Sequence, residues 1–192
     1  MRKPLNQDDV EDVVLSARSP AEHRAAAAQL RAWAEETHPE DEEVTPAWLL
    51  VSAGEELALA EDHEGALQLF ERAVVAEGEA VPDVRCYLHN GLLRAGQADR
   101  ARALAEEVRR SRPADPDVYL FIGEGYELVG DLPEANRWFT LGLMRVVREV
   151  GEEGLSDFRM VFLLNARRRV RQTLGFPPDE YDALAAASMS ED

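Results

Sequence analysis

Three stretches of this chain repeat one arrangement of small and large apolar residues at a nearly constant interval. No other feature narrows the fold as much. Ala101 stands 34 residues before Ala135, and Ala66 stands 35 before that. The units read LLVSAGEELALAEDHEGALQLFERA from Leu49, CYLHNGLLRAGQADRARALAEEV from Cys86 and YLFIGEGYELVGDLPEANRWFTLG from Tyr119. A supersecondary unit recurring at such a period cannot bury its apolar face alone, so its copies must stack.

Each unit reads as two antiparallel helices. The small residue on the first helix (Gly54, Gly123) and that on the second (Ala66, Ala135) let the two axes approach, and large residues fill the space beside them. Gly96 and Gly130 fit left-handed helix ends, and Asp99 and Asp131 fit N-caps of the second helices. The middle unit departs from the pattern. His89 stands at its small position, Arg85 replaces the first large residue and Ala105 replaces the aromatic. Alanine and leucine dominate while β-branched runs are scarce, which favours an all-helical chain.

These positions resemble the tetratricopeptide repeat family. The third unit supplies Tyr119, Ile122, Gly123, Tyr126, Gly130, Ala135 and Phe139. The first supplies Leu50, Ala53, Gly54, Leu57, Ala66, Phe70 and Ala73, and the second Leu88, Leu92, Gly96, Ala101 and Pro113. The resemblance implies an all-α, right-handed α-solenoid of about three helix pairs, over residues 46–80, 82–114 and 116–150, with helical caps at both ends. Residues 1–45 read as an N-terminal cap and acidic loop. The cap helices run from about Asp8 to Ala17 and from Ser19-Pro20 to about Thr37. A Thr-Pro pair at 45–46 opens the repeats. After them, residues 151–187 read as capping helices, from about Ser156 to Leu174 and from about Asp179, and residues 188–192 as a disordered tail. The ending RRRVRQTLGFPPDEYDALA is similar to that of actinobacterial tetratricopeptide proteins related to SEC-C-motif proteins. The cysteines of that metal motif are absent here, so no metal function carries over.

Arrays of this family curve, and the first helix of each unit lines a concave groove. The resemblance therefore implies a groove carrying Trp48, Val51, Ser52 and Glu55, then Cys86, Tyr87, Asn90 and Arg94, then Leu120, Phe121 and Glu124. Aromatics interrupted by a few polar groups suit a bound protein or peptide, basic or apolar given the carboxylates. Two other readings stay open. The groove could be filled by the chain's own terminal helices in a homo-oligomer, or Arg167–Arg171 could contact RNA. Family members that grip a C-terminal carboxylate use basic groove residues. Here Val51, Asp117 and Phe121 stand at those positions and only Asn90 matches.

Composition removes several classes. A net charge of −17 repels phosphate backbones. One cysteine, Cys86, rules out an intrachain disulfide or a multi-cysteine zinc site. The polar start MRKPLNQDDVEDVV and the lack of a long apolar run point to a cytoplasmic chain with no membrane span. Pro39–Glu43 lacks the glycine and alternating ligands of a calcium loop and reads as a solvated acidic loop. His23, His38, His63 and His89 show no metal or catalytic spacing, and His89 reads as a partly buried, hydrogen-bonded residue. No phosphate loop or nucleophile motif is present, so neither an enzyme nor a cofactor is expected.

Overall fold

The computed structural model describes residues 2–41 and 43–188, and the tail expected at the C-terminus lies almost entirely outside them. Among the described residues the regular structure is all helical. The helices are α1 (Gln7–Ser16), α2 (Pro20–Glu35), α3 (Pro46–Leu59), α4 (His63–Val74) and α5 (Val84–Arg94). They continue with α6 (Ala98–Ser111), α7 (Pro116–Leu128), α8 (Leu132–Val150), α9 (Phe158–Thr173) and α10 (Glu180–Ser188). A short 3-10 turn, Glu152–Ser156, precedes α9. The chain divides into two compact units, residues 1–101 and 102–192, and the division falls within α6.

Local chemistry sets the helix ends. Ser19, Thr45, Asp62, Asp131 and Asp157 each accept a hydrogen bond from a backbone N–H of the first turn that the helix itself leaves unpaired. Proline at the start of α2, α3 and α7 forfeits only a donor that had no helical partner. Gly96 and Gly130 have φ of +72° and +80°, which only glycine adopts without strain. One expected cap is corrected. Helix α6 begins at Ala98, so Asp99 lies in its first turn, where its charge suits the positive helix end.

In the first unit, α1 rests on α2 and α3, α2 runs along α3, α3 packs on α4, and α4 packs on α5. The ring of Phe70 on α4 occupies the space where a side chain at Gly54 would go. A Cβ at Gly91 of α5 would come within 2.7 Å of the same ring. The α2–α3 seam holds a polar pair, with His23 Nδ1 2.8 Å from Glu56 Oε2, and Glu56 is 1% exposed. Asp41 is a second polar centre, and here the expectation of a solvated acidic loop is corrected for that residue. Its carboxylate pairs with the Arg2 guanidinium and accepts from the backbone N–H groups of Leu5 (2.8 Å) and His38 (3.1 Å). Those donors hold its pKa down at about 2. Glu42, in the same loop, lies outside the described residues.

In the second unit, α7 packs on α8, α9 packs on both, and α10 lies on α9. Phe139 of α8 sits on Gly123 of α7 as Phe70 sits on Gly54. Gly142 gives Tyr119 and Leu163 room to close over α8: a Cβ there would meet them at 2.6 and 3.1 Å. The Tyr119 and Trp138 rings are 5.9 Å apart. Helix α10 is held chiefly by charge. Arg167, buried on α9, reaches Asp179 (2.6 Å), Asp182 (3.3 Å) and Thr140 (3.2 Å), and Arg171 reaches Asp182 (3.0 Å).

Candidate protein-docking site

The structure divides the expected groove residues into an interior set and a surface set. Val51, Ser52, Cys86 and Tyr87 are buried, so they offer no contact surface. This corrects their expected place in a groove. The Tyr87 hydroxyl donates to the Val81 carbonyl at 2.7 Å, and its ring lies 6.1 Å from that of Phe70, so the side chain turns toward α4. In the first unit, Trp48 and Asn90 are half-buried while Glu55 and Arg94 are exposed. Protein atoms crowd the Glu55 carboxylate and the Glu56 charge is adjacent, which together push its pKa up to about 7. The exposure of the side chain screens this shift. His89 is fully buried rather than partly so. Its Nδ1 lies 3.0 Å from Asn90 Oδ1, and burial lowers its pKa to about 4.

In the second unit, Leu120 and Phe121 are half-buried and Glu124 is exposed, all on α7. The surface they belong to is completed by α9. Two ion pairs tie the helices together. Arg159 in the first turn of α9 lies 3.6 Å from Asp115, the N-cap of α7. Near the other ends, Arg169 donates to Glu127 at 2.8 and 2.7 Å. N-terminal end meets N-terminal end, so α7 and α9 run parallel. Leu120, Phe121 and Glu124 therefore stand level with the middle of α9. In the first two turns of α9, Phe158 and Phe162, one turn apart on one stripe, are 73% and 61% exposed. Single exposed apolar residues are ordinary; two phenylalanines one turn apart on one helix face are the kind of patch that marks an interaction surface.

The electrostatics of this face are acidic. Asp115, Asp117, Glu124, Glu127 and Asp157 surround it, against Arg159 and Arg169. Arg159 engages Asp115 and Asp157, and Arg169 engages Glu127. Asp117 and Glu124 make no ion pair. Loss of water contact raises the pKa of both; the nearby Arg159 and Arg169 charges offset part of that rise, and Asp115 and Glu127 add to it. Farther along the stripe, Asn165 Oδ1 is a buried acceptor without a donor.

Phe158 and Phe162 were not among the expected site residues, because α9 reads as a terminal cap. The available signal was their four-residue spacing in FRMVF, one helical turn. Three of the four arginines of the 167–171 run have their ion-pair partners within the protein: Arg167 and Arg171 with α10 and its entry, and Arg169 with α7. The cavity near the N-terminus, about 260 Å³, is rimmed by the Arg2–Asp41 pair. Another, about 200 Å³, is rimmed by Arg109–Glu106 and Arg137–Glu134, so the charges on these rims answer one another. Among the described residues no cluster of His, Cys, Asp or Glu converges as a metal site, and no helix is long and apolar enough to cross a membrane. No protein-family model, curated protein or solved structure matches the chain.

Proposed function

We propose that this chain is a tetratricopeptide-like scaffold, with helix pairs of the right-handed solenoid type, that docks a protein or peptide. Two observations support the repeat reading. A phenylalanine seats on a glycine of the preceding helix in each unit, Phe70 on Gly54 and Phe139 on Gly123, sixteen residues apart in both cases. Each such pair is joined by a short turn closed by an aspartate N-cap, Asp62 or Asp131.

The docking reading rests on the exposed Phe158–Phe162 stripe of α9, which packs on α7. A photo-crosslinking residue placed at Phe162 in the full chain tests it inside the producing cell. The expected product is a discrete adduct with a different protein, lost when Phe158→Ser is added and absent when the crosslinker stands at exposed Val75. An adduct of the chain with itself would replace the adaptor reading by self-association. No adduct at all would remove the docking reading.

A further inference from the structure

We infer that the α7–α9 face takes a cationic amphipathic helix, with apolar anchors on Phe158 and Phe162 and lysines or arginines over Asp117 and Glu124. The inference rests on the docking reading above and names its occupant. Phe158 and Phe162 are one helical turn apart, about 6 Å along α9. Apolar residues recurring every three or four positions on a bound helix meet that spacing. The backbone groups of α7 and α9 are used within their own helices, so they have nothing to offer an extended segment. A helix laid on the two rings brings its own backbone bonds already made.

Charge chooses among helices. Asp117 and Glu124 are in no direct ion-pair contact. Arg159 and Arg169 attract them from a distance but are themselves bound to Asp115, Asp157 and Glu127. Water is partly withdrawn from both carboxylates, so a cation placed in contact offsets that loss. A second copy of this chain, at a net charge of −17, meets the face with repulsion, and so do anionic lipid and nucleic acid.

The test uses three fluorescein-labelled fourteen-residue peptides and the full chain. The first places leucine and lysine at helical spacing. The second scrambles that order at equal composition. The third keeps the leucines and replaces every lysine by glutamine. The expected result is that the first binds at least ~10-fold more tightly than either of the others. The Phe158→Ser/Phe162→Ser and Asp117→Asn/Glu124→Gln proteins should each lose ~10-fold for it, with circular dichroism unchanged. Equal binding of the scrambled peptide, or no loss in the phenylalanine variant, overturns the inference, since attraction to an acidic surface would then explain everything. Equal binding of the glutamine peptide leaves the face a docking site and removes the rule of charge. Failure of all three peptides, with the Phe162 crosslink still formed, shows that the occupant is not a helix.

Discussion

Phe70 shows how few atoms decide the packing of the first unit. Its ring lies against two glycines, Gly54 on α3 and Gly91 on α5, so one side chain sets the distance between three helices. Gly54→Ala should gain about 1 kcal/mol of helix propensity in an exposed helix. Here the new Cβ overlaps the ring, and the expected outcome is a net loss of about 1–3 kcal/mol in urea unfolding. Adding Phe70→Leu should recover part of it, because the smaller side chain can step aside. A stabilised Gly54→Ala protein would mean that the close approach is absent. His89 adds a pH dependence to the same unit. Its folded pKa, about 4, lies below the ordinary value, so its contribution is complete above about pH 6.5 and is lost as pH falls toward 4. The upper bound is about 3 kcal/mol. The gap between urea midpoints at pH 7.5 and 4.5 should narrow in His89→Gln; an unchanged gap would place the acid sensitivity elsewhere.

At the scale of elements, the sequence announces helix ends better than helix neighbours. Ser19-Pro20, Thr45-Pro46, Asp131 and Gly151 act within one turn, and the observed ends of α2, α3 and α8 fall on or within two residues of the expected ones. What lies across a seam has no local code. Helical spacing says that Val51 and Tyr87 share a face with Glu55 or Asn90, yet not that Val51 is interior while Glu55 is open. The His23–Glu56 pair joins residues 33 apart in sequence, and only the fold brings them together. Helix α10 is the element most dependent on charge, since its buried contacts are Asp182 and Ala185. Arg167→Ala would leave Asp182 buried with only Arg171 opposite. The expected loss is about 3 kcal/mol, confined to α10. Amide hydrogen exchange should show α10 opening while α7 and α8 keep their protection. Unchanged exchange in α10 would show that apolar contact suffices to hold it.

For the molecule as a whole, 38 acidic residues face 21 basic ones, so repulsive pairs outnumber attractive ones. Surface ion pairs such as Arg100–Glu71 and Arg72–Glu35 contribute about 0–1 kcal/mol each and fade with salt, but so does the larger self-repulsion. Thermal unfolding should therefore shift upward by a few degrees between 0.02 and 0.5 M sodium chloride, worth about 1 kcal/mol. A downward shift would mean that the ion pairs outweigh the excess charge. The acidic character of the α7–α9 face was legible from the same counts. The phenylalanines were not, because the residues that frame them belong to α7, some forty positions earlier.

Cys86 is the sole thiol of the sequence and is fully buried. To a maleimide reagent the folded molecule is blank. A cysteine written at any exposed position becomes the single address for a dye, a spin label or a tether, with no native residue to remove first. The chain is thus ready, without redesign, for distance and orientation measurements along its own surface.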